Sequence, residues 1–129
     1  MHGLHLTADL HDCRCEMHWL LDAEALGAAC VKTAQAAGLQ VVGKLFHGFP
    51  ATPQGPGGAT ATVLLAESHL CAHTWPEQRG VTLDVYVCNI GADHSRKAMA
   101  VMEALEAIFM PTRVERHALK RGALGAATA

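Results

Sequence analysis

The sequence predicts an α+β fold, a two-layer α/β sandwich in which a largely antiparallel sheet carries two helices on one face. Three observations lead there. The patterns run strand, helix, three or four strands, helix, strand, which leaves too few crossover helices for a parallel doubly wound sheet. Residues 81–88 alternate strictly, with Val81, Leu83, Val85 and Val87 on one side and Thr82, Asp84, Tyr86 and Cys88 on the other. Half of the 129 residues are apolar, enough for one core, whereas the pieces of about 50 and 70 residues flanking the Pro/Gly-rich middle are too short for two. A single domain over 1–129 is expected.

Leu4, Leu6, Ala8 and Leu10 alternate loosely and predict a half-buried strand over 4–10. Asp22 is placed to cap a helix over 23–37, in which Leu26, Ala29, Cys30, Thr33 and Ala37 share a face and Gly38 supplies the stop. A strand over 39–46 follows. Residues 48–58, GFPATPQGPGG, hold three prolines and four glycines and read as a loop. Strands are then expected over 59–66, 69–75 and 81–88. Ser95 is placed to cap a second helix whose stripe comprises Ala98, Met99, Val101, Met102, Leu105, Ile108 and Phe109, ended by Pro111. A last strand is expected over 112–119, and the small-residue tail 122–129 is expected to fray. The sheet face away from the helices needs a cover. A partner subunit supplies one, so at least a dimer is expected.

Charge and composition narrow the function. A formal charge of −2, a pI near 6.5 and few aromatic residues give no footprint for nucleic acid. No run is long and apolar enough for a membrane span, and the start MHGLHLTADLHD lacks a basic flank with an apolar core, so a cytoplasmic protein is expected. The five cysteines, Cys13, Cys15, Cys30, Cys71 and Cys88, are odd in number and scattered, which favours free thiols over a disulfide framework.

Reactive groups concentrate in Leu64–Gln78, LLAESHLCAHTWPEQ. A Ser after a Glu at a strand boundary is ordinarily inert. Here Ser68 has His73 and, further along, Cys88 as company: a nucleophile, an acid/base and a second proton-transfer group. No Gly-x-Ser-x-Gly elbow surrounds Ser68, which weighs against an ordinary serine hydrolase.

The run ESHLCAHTWPE (67–77), followed by DVYVC (84–88), resembles the short prokaryotic pyruvoyl-dependent S-adenosylmethionine decarboxylases. The likeness extends from GLHLTADLHDC at the N-terminus through FHGF (46–49) to the second helix. It implies a zymogen. Ser68 would attack the carbonyl of Glu67, the ester would split by β-elimination, and the new N-terminus would become a pyruvoyl group, giving chains 1–67 and 68–129. That ketone would take the substrate amine as a Schiff base and act as electron sink during loss of carbon dioxide. The product would be the aminopropyl donor for spermidine biosynthesis.

Residue by residue, the resemblance gives His73 proton handling during self-cleavage, Cys88 proton donation during decarboxylation and Thr60 the place of a processing serine. Glu77 matches a carboxylate that grips ribose, and Phe49 falls near an aromatic that stacks on adenine. The Pro-rich loop 50–57 departs from the family pattern. No metal is implied. Two alternatives stand beside this one: the same chemistry on ornithine or arginine, and a metal-binding protein built on His11, Cys13, Cys15 and His18 or on His69, Cys71 and His73.

Overall fold

In a computed structural model that describes residues 2–122, the chain forms one six-stranded sheet with three helices. The strands are β1 (Gly3–His11), β2 (Val41–Gly48), β3 (Ala59–Leu65), β4 (Ser68–Trp75), β5 (Gly80–Cys88) and β6 (Arg113–Arg121). The helices are α1 (His18–Leu21), α2 (Ala23–Ala36) and α3 (Ser95–Phe109), and a 3-10 turn spans Pro76–Gln78. Strand order is β2-β3-β4-β5-β1-β6, and every neighbouring pair is antiparallel. The α/β sandwich is as expected. Residues 123–129, most of the tail expected to fray, lie outside the described residues.

Period-two alternation builds the core. Ala8 and Leu10 of β1, Ala61 and Val63 of β3, Leu70 and Ala72 of β4, and Val81, Leu83, Val85 and Val87 of β5 are buried beneath Leu26, Cys30 and Ala34 of α2 and Val101, Leu105 and Phe109 of α3. Burying a side chain of Leu, Val or Phe size stabilises by about 1.5–3 kcal/mol, so this layer drives folding. Asp22 caps α2 as expected, its Oδ1 accepting from the N–H groups of Glu24 at 3.0 Å and Ala25 at 3.2 Å. Gly27, a poor helix former, sits inside α2 because a Cβ there would come within 2.3 Å of the Phe46 ring.

Four expectations are corrected. The four-residue helix α1 was not foreseen, being too short to show a period. Of the face assigned to α2, Ala29, Thr33 and Ala37 are only half-buried and Ala34 takes the core position. Ser95 does not cap α3: it is the first helical residue, its N–H donating to Asp93 Oδ1 at 2.8 Å, while Asn89 Oδ1 takes the His94 N–H at 2.8 Å. In the α3 stripe Met99 is exposed, and Glu106 is buried because Arg116 of β6 pairs with its carboxylate.

The sheet face away from the helices carries Leu45, Leu64 and Leu119 among polar groups, 73%, 51% and 53% exposed. Three large apolar side chains held open on one flat face mark a surface that another body can cover. The edge strand β6, RVERHALKR, is charged, which opposes edge-to-edge pairing.

Candidate active site

The groups singled out in the sequence fall at two opposite ends of β4. At its first residue stands Ser68, which follows a two-residue reversal, Ala66-Glu67, between Leu65 and its cross-strand partner Ser68. Glu67, whose carbonyl is joined to Ser68, has φ +57°, a left-handed conformation that costs a non-glycine residue roughly 1 kcal/mol. The β4–β5 hairpin returns Cys88 to the same end. Its side chain is buried, and its backbone N–H donates to Ser68 Oγ at 3.1 Å. The hydroxyl oxygen is thereby oriented while its own proton is left to transfer.

The other end holds a cleft of about 640 Å³ lined by Phe49, Thr60, His73, Trp75 and Glu77. Thr60 and His73 are cross-strand partners, and Thr60 Oγ1 lies 2.9 Å from His73 Nδ1. Phe49, 52% exposed, leaves β2 with its ring 4.7 Å from that of His47. Glu77 stands in the 3-10 turn that follows Trp75. The Pro/Gly-rich loop seals one wall by close backbone approach: a Cβ on Gly58 would lie 1.9 Å from the Thr74 carbonyl oxygen, and one on Gly57 2.1 Å from that of Phe49. Only glycine fits at either position.

Within the chain these two groups do not meet. Ser68 and His73 are five residues apart on a strand that rises about 3.3 Å per residue, so their backbones are separated by roughly 16 Å. The structure brings Ser68 to Cys88 and His73 to Thr60, Phe49 and Glu77. Ser68 and His73 lie too far apart for proton transfer between them.

Two further residues hold the cleft and left no signal in the sequence. Thr74 is buried and bridges three segments, its Oγ1 donating to the Leu20 carbonyl at 2.7 Å and accepting from the Ala59 N–H at 2.8 Å. Arg79, just after the 3-10 turn, sends its guanidinium to the carbonyls of Cys13 and Cys15.

The clusters offered as metal sites are dispersed. His11 Nε2 is 3.3 Å from Glu115, His18 Nδ1 is 3.4 Å from Glu16, and Cys13 and Cys15 are buried between. Burial pushes the Cys13 thiol up to about 11, with Cys15 adding to the shift and Arg79 opposing it, and burial raises Cys15 as well. His69, Cys71 and His73 do share a face of β4, yet their neighbours differ: Asp84 and Tyr86 for His69, Thr62 for Cys71 and Thr60 for His73. All five cysteines are free, as expected.

Known proteins share this chain's sequence and fold. A family profile described as S-adenosylmethionine decarboxylase matches residues 4–122. An S-adenosylmethionine decarboxylase proenzyme of Persephonella marina is 36% identical over 121 residues, 93% of this chain and 82% of that protein. The proenzyme of Aquifex aeolicus is likewise 36% identical, over 93% of this chain and 81% of its own. A crystal structure of the Aquifex aeolicus adenosylmethionine decarboxylase matches with a TM-score of 0.79 at 32% identity, covering 93% of this chain and 90% of that one. The fold is also that of a Trypanosoma brucei monomer, at a TM-score of 0.55 and 12% identity, over 89% of this chain and 44% of that one. On profile, identity and fold together, the chain belongs to the S-adenosylmethionine decarboxylase family.

Proposed function

We propose that the chain is a self-processing decarboxylase of S-adenosylmethionine whose active site is shared between two copies. The observation that carries the processing step is the Ser68–Cys88 contact beside a left-handed Glu67. Ser68 Oγ adds to the Glu67 carbonyl carbon as the Glu67–Ser68 C–N bond breaks, giving an ester and a free amine. β-Elimination then breaks the Cβ–Oγ bond, releasing residues 1–67 with a Glu67 carboxylate and leaving dehydroalanine at 68. After tautomerisation, water displaces ammonia and a pyruvoyl group remains on 68–129. The left-handed conformation of Glu67 can relax once that bond is cut, which favours the forward direction.

The pyruvoyl ketone supplies the electron sink that no ordinary side chain offers. Around it the chain contributes shape and protons. Cys88, the buried thiol nearest position 68, donates a proton to the substrate α carbon. The cleft is of the size that holds a nucleoside-bearing ligand. In it the Glu77 carboxylate accepts from the ribose hydroxyls and attracts the sulfonium charge, while the Phe49 ring stacks on the adenine. Those two side chains, together with family membership, favour S-adenosylmethionine over ornithine or arginine.

The two-ended arrangement supports a homodimer. If two copies pack through their open faces with strand ends exchanged, the Thr60/His73/Glu77 end of one meets the Ser68/Cys88 end of the other. Leu45, Leu64 and Leu119 are then covered. His73 of the second copy carries protons for cleavage at Ser68, and Thr60, in the place of the family's serine, orients its ring. No helix among the described residues is long and apolar enough to cross a membrane, in keeping with work in the cytoplasm on a small-molecule substrate.

Release of labelled carbon dioxide from carboxyl-labelled S-adenosylmethionine, ornithine and arginine, assayed in parallel, tests the substrate. Turnover of the sulfonium compound alone is expected. Turnover of either amino acid with none of S-adenosylmethionine would sink the assignment.

A further inference from the structure

Arg79 occupies a backbone position that side chains avoid. Its φ is +47°, in the left-handed region, and it ends the 3-10 turn that carries Glu77. Glycine takes that conformation without cost, so an arginine there calls for an interaction that offsets the strain. The side chain supplies one. Its Nε donates to the Cys13 carbonyl at 2.6 Å, one terminal nitrogen donates to the Cys15 carbonyl, and the other lies 2.7 Å from Met17 Sδ. The backbone closes the same joint, with the Cys13 N–H donating to the Arg79 carbonyl at 2.9 Å and the Arg79 N–H donating to Pro76 at 3.1 Å.

These bonds join two segments more than sixty residues apart in sequence: the β1–α1 connection and the turn at the rim of the cleft. The planar, always charged guanidinium presents several donors in one rigid fork, and charge-assisted bonds to two carbonyls hold better than neutral ones. The connection is itself well seated. The N–H groups of Arg14 and Cys15 donate to the Met110 and Phe109 carbonyls at the end of α3, at 2.9 and 3.3 Å, and Cys13 and Cys15 are buried. Through Arg79 the turn is therefore tied to the helical layer, while Glu77, two residues earlier, faces the cleft.

We propose that Arg79 is a positioning residue for substrate binding: it fixes the Pro76–Gln78 turn so that the Glu77 carboxylate is held ready for the ligand's diol. This rests on the reading of Glu77 as the ribose-gripping group. A carboxylate on an untied turn must be ordered each time ligand binds, and that cost falls on binding in the ground and transition states alike. Loss of the clamp raises KM and leaves kcat nearly alone.

The informative variant is Arg79→Gly, because glycine accepts the left-handed backbone while the whole side chain, with its guanidinium contacts, is lost. Steady-state kinetics on the processed enzyme should give a KM for S-adenosylmethionine raised about 10-fold with kcat within about 3-fold. Arg79→Lys, which can make one of the bonds, should fall between. Amide hydrogen exchange should quicken at 76–80 and 13–17 in Arg79→Gly and stay unchanged in β3. A KM within twofold of wild type in Arg79→Gly overturns the proposal, and so does unchanged exchange at 76–80. If the wild-type enzyme does not turn over S-adenosylmethionine at all, the decarboxylase reading fails instead, and exchange alone decides whether Arg79 ties the turn.

Discussion

Ser68 Oγ accepts a hydrogen bond from the backbone N–H of Cys88 at 3.1 Å, across the β4–β5 ladder. The contact belongs to the main chain of Cys88, so the Cys88 side chain is free for another task.

Replacing that side chain therefore separates maturation from turnover. Cys88→Ala keeps the N–H that orients Ser68 and should still be cut into two chains. Its decarboxylation should fall by about 10²–10⁴, the usual contribution of a positioned acid. Single-turnover assays of the cut variant measure this, and turnover at the wild-type rate would remove Cys88 from the mechanism.

The Thr60 hydroxyl lies 2.9 Å from His73 Nδ1 and orients the ring. Thr60→Val preserves shape and removes the bond, at a cost of about 1 kcal/mol and with slower processing. Thr60→Ser should process normally. The rate at which the two fragments appear on a denaturing gel decides it, and identical rates for Val and wild type would show the bond to be idle.

Much of the fold was legible because its signals are local. Strict alternation in β5, Asp22 before α2 and Gly38 after it need only neighbouring residues to be read. The tie from Thr74 to Leu20 and that from Arg79 to Cys13 span 54 and 66 residues, and no local pattern encodes them. Candidate site residues could be picked out of the sequence, but their geometry could not. Ser68 and His73 are close in sequence and far apart along a strand, whereas Ser68 and Cys88 are twenty residues apart and touch. An extended chain turns sequence proximity into distance, and a hairpin does the reverse.

If two copies share the site as proposed, that geometry makes mixed dimers informative. Ser68→Ala and His73→Ala should each be inactive alone. Co-expressed, they pair an intact Ser68 with an intact His73 at one of two sites in about half of the dimers, returning about a quarter of wild-type activity. Cleavage of the His73→Ala chain should reappear only in the mixture. No recovery in a verified heterodimer would overturn the shared site.

Buried thiols set the response to alkali. Burial raises Cys30 from 9.0 to about 12 and Cys13 from 9.0 to about 11. Both folded values lie above the unfolded one, so the folded state binds these protons more tightly. The stabilisation is complete below pH 9 and is lost as pH rises towards 11–12. Urea midpoints should fall over that window, and Cys30→Ala should flatten part of the slope. A Cys30→Ala slope matching wild type would contradict the shift.

The central claim is that Ser68 is consumed to build the reactive group. Intact mass of the denatured protein tests it most directly. Wild type should give two species dividing between Glu67 and Ser68, with 68–129 carrying a pyruvoyl mass that shifts on reduction with an amine, and Ser68→Ala should give one full-length chain. A wild-type protein that stays a single uncut chain and never reacts with an amine would contradict the account.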